Sequence, residues 1–225
     1  MLNAFYALKG KYADKRKLAE DAIYLERVLC KESGGIQDQI AASYGGLNRI
    51  EFYDGGFNVS PVIISSDRKK MLSGNLMLFF TGFARFSGKI AAAQEKNIKD
   101  KLTELNEMKQ LVDEAQKVLV SECDINEFGK LLDYTWKLKR GITSIISNDS
   151  IDEMYNRAMK AGALGGKLLG AGGGGFILLY VEKDKQENVK NALADLLYIP
   201  FEFENDGTKV IYYQSEDFNP DEAND

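Results

Sequence analysis

The sequence predicts an α+β fold in which antiparallel strands are covered by helices. Three observations carry that expectation. Helical and strand patterns alternate along 225 residues without a strict βαβ repeat. Apolar residues at 44% and charged residues at 28% match an ordinary globular chain with a sizeable core. Finally, eight glycines crowd into residues 162–176, GALGGKLLGAGGGGF, directly ahead of the apolar run Phe176–Val181. A flexible linker would not lead into a buried strand or carry Leu164, Leu168 and Leu169 within it.

Leu2, Phe5, Tyr6 and Leu8 have helical spacing from the first residue, with no capping residue ahead of them. Asp14 can cap a second helix whose stripe is Leu18, Ala22, Leu25 and Leu29 and whose charged face includes Glu26 and Arg27. Ser33-Gly34-Gly35 opens a short helix that Gly45 closes. Ile36, Ile40 and Tyr44 share its core-facing side, and Asp38 lies on the other. Around Asp38 stand only Gly34, Gly35, Ala41 and Ala42, which leaves room for a ligand beside the acid. The helix dipole alone would also favour an aspartate there.

Residues 47–53 and 57–60 around Asp54-Gly55-Gly56 read as a β-hairpin. The polar stretch 65–75 reads as a domain boundary, giving units at 1–70 and 71–214 and an acidic tail at 215–225. Leu76–Phe80 is a buried strand, with Arg85, Ser87 and Lys89 after its exit. An amphipathic helix follows from Ile98 to Val120. Asp124 with Glu127 resembles a cap for a third helix, which carries Trp136 inward and ends in Lys137-Leu138-Lys139-Arg140. Ser150 and Glu153 form a capping box for a helix that stops at Gly162. Beyond the glycines come a strand at 176–181, a helix near 184–196 and short strands at 200–204 and 208–213.

Composition excludes several chemistries. The chain has no histidine, so acid–base work falls to carboxylates, lysines or tyrosines. A net charge of −5 gives no electrostatic case for nucleic acid. Cys30 and Cys123 have no metal spacing and read as reduced thiols. No apolar run approaches the roughly 18 residues that cross a bilayer, so a cytoplasmic location without a membrane partner is expected. The glycine run reads as a rigid turn whose amides face an anion, although it matches neither a Walker loop nor a Rossmann fingerprint.

These residues also resemble a known family. GGKLLGAGGGGF is similar to the third signature of the galactokinase, homoserine kinase, mevalonate kinase and phosphomevalonate kinase (GHMP) superfamily. Glu26-Arg27 with Ser33-Gly34-Gly35-Ile36-Gln37-Asp38 resembles its catalytic-aspartate segment, with one residue more between Glu26 and Asp38 than the family pattern has. GGIQDQIAASYGGLNRIEF, LFFTGFAR and WKLKR resemble the branch acting on D-glycero-D-manno-heptose 7-phosphate. The resemblance implies an incomplete N-terminal domain like ribosomal S5 domain 2 and a ferredoxin-like C-terminal domain, because the family's Pro-x-x-x-Gly-Leu-Gly-Ser-Ser loop has no counterpart here.

It further implies ATP and Mg²⁺ as cofactors and a sugar phosphate as acceptor. Asp38 would be the catalytic residue that orients or deprotonates the acceptor hydroxyl, and Glu26 a Mg²⁺ ligand. Ser33, Gly34, Gly35, Arg85, Lys139 and Arg140 would bind substrate. Gly165, Gly166, Lys167, Gly170, Gly172, Gly173 and Gly174 would form the phosphate loop. A sugar-phosphate-binding remnant without catalysis, or a kinase for an unphosphorylated sugar, are the alternatives. Self-association through the uncovered first helix is also expected.

Overall fold

The computed structural model describes residues 1–82 and 87–214; the side chains of Ser87 and Lys89 fall outside it as well. The chain divides into two compact units. One comprises Met1–Pro61 together with the residues from Phe203 onward, and the other is Val62–Glu202.

The first unit holds α1 (Leu2–Leu8), α2 (Lys15–Ile23), a π-helical turn at Tyr24–Leu29, α3 (Gln37–Tyr44), β1 (Asn48–Tyr53) and β2 (Gly56–Pro61). Asp14 caps α2 as its position predicts, its carboxylate accepting the Lys17 amide at 2.7 Å. The hairpin closes over Asp54-Gly55, with Tyr53 opposite Gly56 and Gly55 at φ 80°. Ala19, Ile40 and Phe57 form the core, packed by Ile23, Ile36, Tyr44, Ile50 and Val59. Phe5 and Leu8 of α1 are exposed, in keeping with the uncovered helix face expected there.

Residues after Ile199 do not form the two strands expected at 200–204 and 208–213; the described residues there are irregular. Pro200 has no amide to donate. The segment instead bonds the turn after α3: Gly46 donates to the Glu204 carbonyl at 2.8 Å, and Thr208 donates to the Ala42 carbonyl at 2.9 Å.

The second unit runs α4 (Ser66–Gly74), β3 (Leu76–Phe80), α5 (Ser87–Asn97), α6 (Leu102–Val120), α7 (Asn126–Arg140), α8 (Asp149–Lys160), β4 (Ala163–Leu168), β5 (Phe176–Val181), α9 (Gln186–Ala192) and β6 (Leu197–Ile199). Its sheet has the order β4-β5-β3-β6, antiparallel at every pairing. Strand, helices, two strands, helix and strand in that spatial order is the ferredoxin-like arrangement. Phe79, Trp136, Ile146, Ile151, Leu168, Ile177 and Leu179 lie at the centre of its core.

Local details depart from the sequence reading in physically simple ways. The polar stretch 65–75 is a helix rather than a boundary, and the division between units falls after Pro61 instead of at residue 70. Ser65 caps that helix by accepting the Arg68 amide. Arg68 in turn donates to the Leu119 and Cys123 carbonyls at 2.8 Å, satisfying the end of α6 and tying α4 to this unit.

The cap of α8 is Asn148 and not Ser150: Asn148 has extended dihedrals, and its side chain accepts the Ile151 amide at 3.0 Å. Asp124 bonds the Asn126 amide, while Glu127 pairs with Lys130 instead of closing a cap. Residues 87–97, expected only as a strand exit, form α5. The largest difference lies in the glycine-rich stretch, whose first half is strand β4.

Candidate functional site

The glycines of Gly162–Phe176 split into two structural classes. Gly165 and Gly166 lie within β4, beneath α7. A Cβ on Gly165 would stand 1.9 Å from the Gly129 carbonyl oxygen of α7 and 2.8 Å from the Asp133 amide. A Cβ on Gly166 would stand 2.4 Å from the Leu178 carbonyl oxygen. Both residues are buried; Gly165 lets α7 and β4 approach at backbone distance, and Gly166 packs against β5. The sequence reading placed both in the phosphate loop; in the fold they lie in β4, and their close packing is a structural reason for glycine at each position.

The turn itself runs from Leu169 to Gly175. Gly170, Gly172, Gly173, Gly174 and Gly175 all have positive φ, between 73° and 157°. Its carbonyls are the tethers: Gly170 accepts from Lys139 Nζ at 2.7 Å, Ala171 from Gln94 Nε2 at 2.7 Å, and Gly175 from both the amide (2.9 Å) and Oγ1 (3.0 Å) of Thr81. The Gly173 amide donates to the Ile146 carbonyl at 2.8 Å. Among the described residues the amides of Gly170, Ala171, Gly174 and Gly175 donate no hydrogen bond. Held carbonyls and spare amides are the groups with which a glycine-rich turn can bind an anion. A Cβ would meet nothing within 4 Å at Gly170 or Gly175, whereas at Gly172 it would stand 2.7 Å from the Ile146 carbonyl oxygen, so the turn is open at its two ends and packed at its middle.

Two lysines accompany the loop. Lys139, in the last turn of α7, is partly buried and reaches the Gly170 carbonyl. Burial first, and then the charge of Lys167, pushes the Lys139 ammonium down to about 8. Lys167, at the end of β4, is also partly buried, and burial lowers its pKa. It sits on the strand and not in the turn where the sequence reading placed it. Among the described residues neither lysine forms an ion pair.

Arg140 follows Lys139 but points about 100° away around the helix. It pairs with Asp152 at 2.7 Å, and Ser147 Oγ donates to the other oxygen of that carboxylate. The structure thus separates Lys139 and Arg140, which the sequence reading placed on one phosphate. Arg85 lies outside the described residues. Thr81 and Gln94, missed in the sequence, hold the loop from outside it; Thr81 ends the apolar run of β3, which was the available signal.

In the first unit, Glu26 and Asp38 line one cavity of about 440 Å³, with Leu18, Ala22, Gln39, Ala42 and Ser43 among its walls. Asp38 is exposed in the first turn of α3, beside small neighbours as the spacing predicts. Glu26 sits in the π-helical turn. Gln39 links the two elements by donating its Nε2 to Glu26 Oε2, and its own Oε1 is buried without a partner. That link was not legible in the sequence, since Gln39 lies across a loop from Glu26.

Ser33 and Gly35 are exposed on the approach to α3, and Gly34 has φ 154° there. Two carboxylates at one cavity suit a hard cation that keeps most of its waters. No cluster of three or more acidic, cysteine or histidine ligands exists among the described residues, so the donor set fits Mg²⁺ only with additional oxygens from substrate.

Residues 115–199 match the family described as GHMP kinases C terminal. The matched stretch lies wholly within the second unit. It is 31% identical over 198 residues to the D-glycero-alpha-D-manno-heptose 7-phosphate kinase of Campylobacter jejuni, covering 86% of this chain and 58% of that protein. A D-glycero-D-manno-heptose 1-phosphate kinase structure from Bacteriodes thetaiotaomicron superposes with a TM-score of 0.66 at 27% identity, covering 94% of this chain and 60% of the other. A mevalonate kinase of Thermococcus sibiricus is 27% identical over 199 residues, covering 85% of this chain and 56% of that protein. The chain thus spans less than two thirds of the length of these relatives. Among the described residues no helix is long and apolar enough to cross a membrane.

Proposed function

We propose that this chain belongs to an ATP-dependent sugar-phosphate kinase working in the cytoplasm, with an acceptor of the D-glycero-D-manno-heptose 7-phosphate class. The observation that carries the reading is the Leu169–Gly175 turn, with five positive-φ glycines, spare amides and two unpaired lysines, in the stretch that matches GHMP kinases C terminal. Phosphoryl transfer needs positioning and charge neutralisation more than covalent help, and free amides beside ammonium groups can position a substrate that bears a phosphate. Asp38 takes the role of orienting the acceptor hydroxyl and accepting its proton. Glu26 is the carboxylate that would hold Mg²⁺, which neutralises phosphate charge when bound.

The heptose acceptor is supported by the similarity to two heptose-phosphate kinases. ADP release from MgATP with heptose 7-phosphate, mevalonate or galactose as acceptor tests this. Heptose 7-phosphate should be used in preference, and Asp38→Asn should lower turnover by a factor on the order of 10². Preference for mevalonate or galactose overturns the acceptor class, and no acceptor-dependent ADP release overturns the kinase reading. The exposed Phe5 and Leu8 support self-association through α1. Sedimentation of the Leu8→Glu variant as a smaller species than the parent chain checks it.

A further inference from the structure

A phosphate-facing loop accounts for the spare amides but not for two adjacent lysines without a counter-ion. Burying ammonium groups costs free energy unless a partner arrives, and here like charges reinforce the cost. The nearby carboxylates are already engaged. Asp133 accepts from Lys137 Nζ at 2.6 Å and from the Tyr155 hydroxyl at 2.7 Å, and Asp152 is held by Arg140 and Ser147. Arg140 adds a further positive charge on the α7–α8 side. Nothing described in the fold neutralises Lys139 and Lys167, so the missing charge must come with a ligand.

Two ammonium groups call for two negative charges on one small group. We propose that Lys139, Lys167 and the amides of Gly170, Ala171, Gly174 and Gly175 form the seat for a phosphomonoester dianion, the phosphate that the acceptor already carries, rather than for the nucleotide. This rests on the reading of the loop as phosphate-facing and goes beyond it by naming which phosphate. The Lys139 bond to the Gly170 carbonyl couples that seat to the loop, so filling it also fixes the turn. A second consequence concerns protons. With its ammonium held down to about 8, Lys139 is part-deprotonated at mildly alkaline pH. An incoming dianion favours the charged form, so binding should draw a proton from solvent.

Calorimetry with glycerol 3-phosphate as the probe, glycerol and MgATP as comparisons, and thermal melts to confirm folding of each variant tests this. Glycerol 3-phosphate should bind and glycerol should not. At pH 8 the binding heat should change with buffer ionisation enthalpy by an amount equal to roughly half a proton taken up. Lys139→Met and Lys167→Met should each weaken glycerol 3-phosphate binding about tenfold or more while leaving MgATP binding in place. Lys139→Arg should keep the affinity and lose the proton uptake, because arginine stays charged.

Unchanged monoester affinity in both Met variants, or binding without proton uptake, overturns the inference. Loss of MgATP binding instead of monoester binding gives the seat to the nucleotide, overturning the inference while sparing the phosphate-facing loop. Failure of both ligands to bind overturns both.

Discussion

Within the one stretch Gly162–Phe176, the strand glycines Gly165 and Gly166 and the turn glycines Gly170 and Gly175 differ in what a methyl group would meet. At Gly165 it would meet the backbone of α7 at 1.9 Å; at Gly170 it would meet nothing within 4 Å. The first pair is absent of side chain so that the fold can close, and the second so that the chain can turn and leave its amides accessible. A glycine-rich signature can therefore join a packing device to a binding device. The two should separate cleanly when each is disturbed.

The sharpest separation comes from Gly165→Val. Its side chain must displace α7 from β4, so unfolding free energy should fall by about 3 kcal/mol or more in urea titration. A loss below about 1 kcal/mol would mean that helix and sheet are not held at backbone distance. Gly170→Ala should act the other way round. Its φ of 73° costs an alanine about 1 kcal/mol, yet the open space admits the methyl group. The variant should stay folded in the same titration and lose affinity for phosphate ligands.

The smallest effect should come from Lys139→Met. Lys139 titrates near 8 in the folded chain, below its ordinary 10.5, so its charged form opposes folding. That cost is present in full below pH 8 and fades as pH rises toward 10.5. Ligand-free Lys139→Met should therefore be more stable than the parent at pH 7, by an amount on the order of 1 kcal/mol for this partly exposed group. The advantage should shrink in melts run at pH 9 to 10.

The same contrast explains which features could be read from the sequence. The hairpin was legible because Asp54-Gly55 between alternating residues has a local meaning that tertiary packing left alone. Asp38 was legible as a site candidate because small residues at helical spacing surround it whatever else the chain does. The role of Gly165 was not, since it depends on Gly129 of α7, 36 positions away, and no local pattern distinguishes it from Gly170. Asn148 displaced Ser150 as a cap because both residues suit an N-cap and the choice rests on one dihedral pair. The divergence of Lys139 and Arg140 follows from helix geometry alone and was available in the sequence once the helix was taken through Arg140. The strands expected near 200–213 failed because the backbone there hydrogen-bonds α3 and the turn after it instead of a neighbouring strand.

The central claim is that the turn half of the glycine stretch, and not its strand half, receives a phosphate. Amide chemical shifts of ¹⁵N-labelled chain, followed through a glycerol 3-phosphate titration, test it residue by residue. The account predicts saturable shifts at Gly170, Gly172, Gly174 and Gly175, with Gly165 and Gly166 essentially still. Shifts of equal size at Gly165 and Gly166, or none anywhere in the stretch, would contradict it.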